Sequence, residues 1–177
     1  MIFRVSDVKS KLKQVKLLLL DVDGVMTDGT IIYDDNNIQT QTFYVRDGLG
    51  IRLLMLAGIE VGVITGRKSD ALHHRCKNLN IRYIYDSVKN KVEILNEVIA
   101  KTGIKAEDIA YMGDDLPDVS IMKAVGIPIA VADAHEIIIE ISDIVTSAKG
   151  GSGAIREISE AILKAQNRWN FVMERFK

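Results

Sequence analysis

The stretch 17-LLLLDVDGVMTDG-29 joins four consecutive leucines to two aspartates, Asp21 and Asp23, that are separated by a single residue. A short apolar run bounded by polar residues is typical of a strand that is buried on both faces of a parallel sheet. Carboxylates placed close together raise each other's pKa unless a cation lies among them. The stretch therefore predicts a buried strand, over 16–21, with a functional acidic cluster at its carboxyl end.

Strand and helix patterns alternate along the rest of the chain. Further strands are predicted at 60–65, 83–85, 109–113 and 127–131, and helices at 49–57, 69–79, 89–102, 116–125 and 155–176. Strands that alternate with helices of this length favour a parallel sheet with helices on both faces. The predicted fold is therefore α/β, a three-layer Rossmann-like parallel sheet.

Residues 30–45, TIIYDDNNIQTQTFYV, interrupt this alternation. Two β-rich arms flank DDNN, a cluster of turn-forming residues, and we interpret the segment as a β-hairpin flap. Ligands of open α/β sheets bind at the carboxyl ends of the strands, where this flap would project. No insert is large enough for a cap domain, so we predict a single capless domain over 1–177. Its last part, 148–177, comprises a glycine-rich segment and a C-terminal helix.

Composition limits the classes of protein to consider. The 177 residues are 47% hydrophobic and 27% charged, with a formal net charge of -1. This balance gives no reason to expect nucleic acid or a membrane as a partner, and no apolar run approaches the roughly 18 residues of a membrane span. Cys76 is the single cysteine, which excludes an internal disulfide. With no visible secretory signal, we expect a cytoplasmic protein.

Reactive side chains follow the predicted strands, where they would face one crevice. They are Asp21, Asp23, Thr65, Lys91, Asp114, Asp115 and Asp118. Oxygen ligands without histidine or cysteine favour a hard cation, and Mg²⁺ is the usual choice beside phosphate. The sequence therefore predicts a magnesium site.

The same stretches carry a family resemblance. DVDGVMTDG, ITGR, VKNK and MGDDLPD resemble the four motifs of the haloacid dehalogenase superfamily of phosphohydrolases. Two more stretches, YVRDGLGIR at 44–52 and GGSGAIRE at 150–157, resemble its family of 3-deoxy-D-manno-octulosonate 8-phosphate (KDO 8-phosphate) phosphatases, enzymes of lipopolysaccharide sugar synthesis. The resemblance implies Mg²⁺-dependent hydrolysis of this small phosphorylated acid sugar through an aspartyl-phosphate. It also implies a homotetramer with active sites at subunit interfaces.

The resemblance assigns a role to each residue of the cluster. Asp21 is the nucleophile. Asp23 is the general acid and base, and its backbone carbonyl is a metal ligand. Thr65 and Gly66 hold phosphoryl oxygens, Lys91 offsets negative charge, and Asp114 completes the metal ligands. Asp115 is expected to act through water or by orienting Lys91, and Asp118 to support the site from behind or to serve as a plain helix residue.

An acid sugar requires a partner for its carboxylate, and the planar fork of arginine suits that task. The substrate contacts that the resemblance implies are Asp23, Tyr44, Val45, Arg46, Asp47, Gly48, Arg52, Gly66, Arg67, Arg75 and Lys91. Glycine permits unusual backbone geometry, so we expect the glycine-rich segment to be a mobile lid.

Three alternatives remain open at this point. A phosphatase for a nine-carbon, sialic-acid-type sugar 9-phosphate would carry the same motifs. A phospho-receiver signalling domain also combines acids, a hydroxyl and a lysine at strand ends, but usually has an adjacent acidic pair after its first strand. A scaffold that has lost catalysis is disfavoured because every core catalytic residue is present.

Overall fold

The computed structural model describes residues 1–177 of the protein. Its strands are β1 (Ile2–Phe3), β2 (Leu17–Leu20), β3 (Ile32–Tyr33), β4 (Gln39–Thr40), β5 (Glu60–Ile64), β6 (Tyr83–Tyr85), β7 (Ile109–Gly113), β8 (Ile127–Ala130) and β9 (Ile144–Val145). Its α-helices are α1 (Val8–Gln14), α2 (Val45–Leu56), α3 (Asp70–Leu79), α4 (Lys91–Thr102), α5 (Val119–Met122), α6 (Glu136–Ile141), α7 (Ala154–Ala165) and α8 (Trp169–Met173).

Seven strands form the main sheet in the order β1-β9-β8-β7-β2-β5-β6. All neighbours are parallel except β1, which runs antiparallel to β9 at one edge. Leu20, at the end of β2, is level with Val63 of β5 and Met112 of β7. The residues that follow these three strands therefore emerge together at one edge of the sheet.

The four leucines of β2 are the centre of the core, and each is 0% exposed. Helices α1 and α2 pack against α7, while α5 packs against α4 and α6. A strand in mid-sheet needs apolar side chains on both faces, which explains an unbroken leucine run in place of alternation. The predicted α/β fold with a mostly parallel sheet is confirmed.

Helix ends follow local signals. Ser69 caps α3 by accepting a hydrogen bond from the Leu72 N–H at 3.3 Å, and Asn90 caps α4 by accepting from the Val92 N–H at 3.1 Å. Short polar side chains at this position satisfy backbone donors that have no partner inside the helix.

Three predicted helices are wrong in extent. The helix predicted at 49–57 begins earlier, at Val45, and ends at Leu56. The helix predicted at 155–176 ends at Ala165 and resumes as α8, because Asn167 adopts a left-handed conformation with φ 57°. The helix predicted at 116–125 begins with a 3-10 turn, Leu116–Asp118, and only Val119–Met122 is α-helical. The short elements β1, α1, α6 and β9 were not predicted.

The flap is a separate two-stranded sheet of β3 and β4. Asp34 closes its turn by accepting hydrogen bonds from the backbone N–H groups of Asn36 and Ile38 at 2.9 and 2.8 Å. The paired strands are shorter than the segment 30–45, but they lie where the sequence predicted a hairpin. None of the helices of the protein combines the length and apolar character that crossing a membrane requires.

Candidate active site

Asp21 lies directly after β2 and is held by the lysine that begins α4. The Lys91 Nζ is 2.8 Å from the Asp21 Oδ1 and 2.6 Å from the Asp118 Oδ1. The lysine is 6% exposed, so its charge is buried with two partners. Burial alone lowers the pKa of Lys91, but these two carboxylates outweigh it and leave the pKa raised. The lysine therefore stays protonated beside the predicted nucleophile.

Asp118 is the organising residue of this edge of the sheet. Its Oδ2 accepts hydrogen bonds from the backbone N–H groups of Asp114 and Asp115 at 3.0 and 3.4 Å. Its Oδ1 accepts from the Tyr111 hydroxyl at 2.6 Å as well as from Lys91. The side chain is 1% exposed, so it supports the site from behind and is not a plain helix residue.

Tyr111 is a contact that the sequence reasoning missed. Its hydroxyl lies 3.0 Å from the Lys91 Nζ, and the side chain is 0% exposed. Burial first, and then the charges of Asp21 and Asp118, raise the pKa of Tyr111 well above its ordinary value. The sequence did contain a signal for this contact, namely a tyrosine inside an apolar strand. A buried tyrosine hydroxyl usually has a hydrogen-bond partner, so a polar neighbour could have been expected.

The carboxylates of Asp21, Asp114 and Asp118 approach one another closely, with one oxygen of each within 4.8 Å of the others. Burial and the neighbouring charge of Asp118 raise the pKa of Asp21 to about 6, against the opposing effect of Lys91. Burial, Asp21 and Asp118 raise the pKa of Asp114 to about 8. A cation among the carboxylates would remove this penalty on ionisation.

The donor set fits Mg²⁺, which prefers one or two carboxylates among oxygen ligands. Both Asp118 oxygens are already engaged by Lys91, Tyr111 and two backbone N–H groups, so we assign the metal to Asp21 and Asp114. Gly24 permits this arrangement, because a Cβ atom there would lie 2.0 Å from the Asp114 Oδ2. The side chain of Asp23 points elsewhere, so only its backbone carbonyl stays a predicted ligand.

The side chain of Asp23 is held by the flap. Its Oδ1 accepts a hydrogen bond from the Gln41 Nε2 at 3.0 Å, and the Arg67 Nε is 3.6 Å from its Oδ2. Gln41 in turn accepts from the Ser69 Oγ at 2.5 Å, and Gln39 accepts from the Arg67 Nη2 at 3.3 Å. The two glutamines are missed site residues; Gln39 begins β4 and Gln41 follows its end, and the spacing of two residues in an extended segment was the available signal.

Thr65 follows β5 and is 2% exposed. Its Oγ1 accepts a hydrogen bond from the Arg67 N–H at 3.2 Å, which fixes the turn of the TGR stretch. Gly66, within that turn, is exposed at the same edge of the sheet as Asp21. The structure thus brings Asp21, Thr65, Lys91 and Asp114 to one edge, as the sequence predicted.

Comparison with known proteins gives this geometry a family. The model for haloacid dehalogenase-like hydrolases matches residues 83–158. The 3-deoxy-D-manno-octulosonate 8-phosphate phosphatase KdsC of Escherichia coli is 43% identical over 92% of this chain and 87% of its own length. The chain belongs to the KDO 8-phosphate phosphatase family of the haloacid dehalogenase superfamily.

Solved structures of this family agree with the fold. The enzyme of Moraxella catarrhalis, crystallised with a magnesium ion, a phosphate ion and a KDO molecule, superposes with a TM-score of 0.95 at 39% identity. That match covers 98% of this chain and 100% of the other. The phosphatase of Yersinia pestis gives a TM-score of 0.92 at 40% identity, over 93% and 89% of the two chains.

The stretch Tyr44–Gly48, which the family resemblance assigned to the substrate, divides into exposed and buried parts. Val45 is 74% exposed, and Arg46 lines a surface cleft of about 480 Å³ together with Tyr44. Asp47 is 3% exposed, and both its oxygens accept backbone hydrogen bonds from the start of α7. Within one chain the Asp47 carboxylate therefore binds the start of α7, and its contact with substrate stays a prediction.

Two of the four expected arginines donate hydrogen bonds to backbone carbonyl groups of their own chain. The Arg75 Nη2 donates to the Tyr44 carbonyl at 3.3 Å and its guanidinium lies over the Phe43 ring. The Arg52 Nη2 donates to the Asn78 carbonyl at 2.7 Å, and the side chain lines a cavity of about 580 Å³ where β5 begins. Arg67 lies beside Asp23, and Arg46 is exposed on α2.

The glycine-rich segment packs against the catalytic side of the protein. Gly150 and Gly151 lie against the backbone of the loop after β2, and the Gly151 N–H donates to the Val25 carbonyl at 2.9 Å. The lack of side chains that permits flexibility also permits this close backbone packing, and the role of the segment as a lid stays a prediction.

Proposed function

We propose that this protein is a Mg²⁺-dependent phosphatase that hydrolyses KDO 8-phosphate to KDO and inorganic phosphate. The observation that carries the proposal is the contact of Lys91 with Asp21 at 2.8 Å, within a carboxylate cluster at the carboxyl ends of the strands. The sequence identity to enzymes of this activity supports the choice of substrate.

Catalysis begins with attack of an Asp21 oxygen on phosphorus, which forms an aspartyl-phosphate and breaks the bond to the sugar oxygen. Lys91 stabilises the negative charge that spreads over the phosphoryl oxygens, and the Gly66 N–H donates to one of them. When bound, Mg²⁺ would be held by Asp21 and Asp114 and would withdraw charge from the phosphoryl group. Water then attacks phosphorus and releases Asp21 with inorganic phosphate.

Asp23 moves the protons in both steps. It gives a proton to the departing sugar oxygen and later accepts one from the attacking water. Gln41 and Arg67 contact its two oxygens and hold the carboxylate in one orientation. Such positioned proton transfer contributes about 10²-fold to 10⁴-fold in rate.

The acid group of the sugar is recognised by arginine in this proposal. Arg67 supports this proposal because its Nε lies 3.6 Å from the Asp23 Oδ2, and Arg46 is a further proposed contact whose guanidinium suits a carboxylate. Arg52 and Arg75 remain proposed contacts, and Arg52 would act on the substrate of a neighbouring subunit. A nine-carbon sugar 9-phosphate presents the same carboxylate and phosphate, so it is the second candidate.

We further propose a homotetramer in which flaps wall neighbouring active sites. Several apolar side chains of the flap are exposed, with Tyr33 at 60% and Ile38 at 59%. Clusters of this kind are typical of protein interfaces. We also propose that the chain forms a single domain over 1–177. It works in the cytoplasm on a sugar of lipopolysaccharide synthesis.

The test is steady-state phosphate release from three substrates at equal Mg²⁺. These are KDO 8-phosphate, a nine-carbon sialic-acid-type 9-phosphate, and mannose 6-phosphate, which lacks the carboxylate. We expect the highest kcat/KM for KDO 8-phosphate and no turnover by Asp21→Asn. Equal rates on mannose 6-phosphate would refute the role of the arginines, and an active Asp21→Asn enzyme would refute the nucleophile.

A further inference from the structure

We infer that Asp47 is a positioning residue, which fixes the loop after β2 through the glycine-rich segment. We call residues 150–153 the glycine wedge, and we call the loop that carries Asp21, Asp23 and Gly24 the catalytic loop. The wedge lies between Asp47 on α2 and the catalytic loop. The inference rests on the proposed function, to which it adds how the catalytic loop is held in place.

Asp47 anchors one side of the wedge. Its Oδ1 accepts a hydrogen bond from the Arg156 N–H at 2.7 Å, and its Oδ2 accepts from the Gly153 N–H at 3.2 Å. These donors belong to the first turn of α7, where backbone N–H groups have no partner inside the helix. Gly153, the N-cap residue, has φ +111°, a conformation that favours glycine, and it has no side chain that could cap the helix. The carboxylate of α2 thus supplies the cap that α7 lacks.

The other side of the wedge packs against the catalytic loop. A Cβ atom on Gly150 would lie 1.7 Å from the Gly24 carbonyl oxygen, so the two backbones are in direct contact. The Gly150 N–H donates to the Asp133 Oδ1 at 3.0 Å, and the Gly151 N–H donates to the Val25 carbonyl at 2.9 Å. The wedge is therefore fixed on both sides of the contact.

Gly24 is also in close contact with Asp114, the carboxylate that is predicted to bind the metal. Its own Cα lies so near Asp114 that an added Cβ would meet the Asp114 Oδ2 at 2.0 Å. A shift of the wedge therefore moves Gly24 relative to Asp114, and Asp23 with it. Misplacement by about 1 Å costs roughly 10²-fold in rate, so a residue far from the chemistry can control turnover.

The first experiment compares Asp47→Asn with the wild type on two substrates. KDO 8-phosphate requires the acid-sugar contacts, whereas p-nitrophenyl phosphate tests only the catalytic loop. Asparagine keeps the shape of the side chain but presents an N–H to the Gly153 N–H, which destroys one of the two contacts. We expect kcat to fall about 10-fold or more on both substrates, while KM for KDO 8-phosphate changes little.

The second experiment measures Mg²⁺ binding without turnover. The rise in unfolding temperature is recorded as Mg²⁺ is added to the wild type and to Asp47→Asn. We expect the variant to require several-fold more Mg²⁺ for half of the rise. Gly150→Ala should show larger losses in both experiments, while Ser152→Ala, which changes an exposed side chain of the same segment, should match the wild type.

Asp108→Asn is the matched control for stability alone. Asp108 is also buried, at 8% exposed, but it pairs with Lys16 at 2.7 Å at the opposite edge of the sheet. We expect it to lower the unfolding temperature without changing kcat or the Mg²⁺ requirement.

Three results would overturn the inference. One is a rise in KM for KDO 8-phosphate with unchanged kcat on both substrates, which would make Asp47 a substrate contact. Another is an Asp47→Asn variant that matches Asp108→Asn in every respect, which would make its role structural only. The third is an unchanged Mg²⁺ requirement in Gly150→Ala. Failure of the proposed function looks different, because the wild type would then release phosphate from neither substrate.

Discussion

Asp118 receives four hydrogen bonds and stands at the centre of the site without being expected to touch substrate. Its charge is balanced by Lys91, and both groups are almost fully buried. Breaking such a pair leaves the other charge without compensation, which costs more than the pair itself contributes.

Asp118→Asn should therefore lower both stability and turnover. We expect the free energy of unfolding to fall by about 3 kcal/mol, as for other buried pairs that lose one partner. Tyr111→Phe is the matched variant, because it removes one hydrogen bond to Asp118 and keeps the ion pair, at a cost of about 1 kcal/mol. Urea unfolding and kcat measure the two effects. Equal losses in the two variants would show that the charge of Asp118 is unimportant.

The paired acids also predict how stability depends on pH without metal. The pKa of Asp21 is raised to about 6 and that of Asp114 to about 8, whereas an unfolded aspartate has a pKa of about 3.9. The folded protein therefore binds more protons than the unfolded chain from about pH 4 to pH 8, and stability falls as pH rises. The raised pKa of Lys91 contributes a constant stabilisation over this range, since it titrates only at higher pH.

We expect the metal-free protein to be more stable at pH 5.5 than at pH 8, and Mg²⁺ to stabilise it more at pH 8. Urea unfolding at both values, with and without Mg²⁺, is the measurement. Asp114→Asn should flatten the pH dependence and weaken the response to Mg²⁺. A metal-free protein that gains stability between these pH values would contradict the assigned site.

The site residues that directly follow strands could be predicted from the sequence alone. Asp21, Thr65 and Asp114 come directly after strands, so the order of parallel strands is enough to bring them together. Tyr111 and the contact of Asp47 with α7 could not be predicted in this way. Asp47 contacts a backbone group 109 residues away and Tyr111 contacts Lys91, 20 residues away, and only the tertiary structure brings these pairs together.

The flap is the element that most directly affects proton transfer. Gln41, directly after β4, joins Asp23 to Ser69 at the start of α3, so the flap segment holds the predicted general acid. A general acid matters most when the leaving group is a poor one, such as the alkoxide of a sugar.

Gln41→Ala should lower kcat for KDO 8-phosphate by about 10-fold, which is less than the full contribution of proton transfer because Asp23 itself is retained. The loss should be much smaller for p-nitrophenyl phosphate, whose leaving group departs without a proton. Thr42→Ala, at the next and exposed position, is the control and should leave both rates unchanged. Equal losses on the two substrates would show that Gln41 does not act through the general acid Asp23.

Elements with local signals were predicted well, and elements fixed by distant contacts were not. The serine before α3 and the leucine run of β2 act within a few residues. The break after α7 depends on Arg168, whose guanidinium donates to the Ala57 carbonyl at the end of α2. The strands β1 and β9 contain two residues each, too few for a periodic pattern.

The whole molecule presents an apolar surface that a single chain leaves uncovered. Ile31, Ile32 and Ile38 of the flap are exposed, and so are Val45, Leu49 and Leu56 along one side of α2. Burying such side chains is favourable at about 25 cal/mol per Å². This supports the proposed assembly, in which the flap lies between subunits.

Ile38→Glu should weaken the assembly, because it places a charge in the proposed interface. We expect light scattering to report a smaller mass than for the wild type, together with a lower kcat for KDO 8-phosphate. Lys101→Glu, on α4, is a surface control and should change neither. A wild-type protein that is monomeric would contradict the proposed tetramer.

The central claim is that the carboxylates after β2 and β7 act as a pair around Mg²⁺. The most direct test is phosphate release from KDO 8-phosphate by the wild type, before and after exhaustive chelation and again after Mg²⁺ is restored. We predict that release stops on chelation and returns with Mg²⁺. Undiminished release from the chelated protein would contradict the claim.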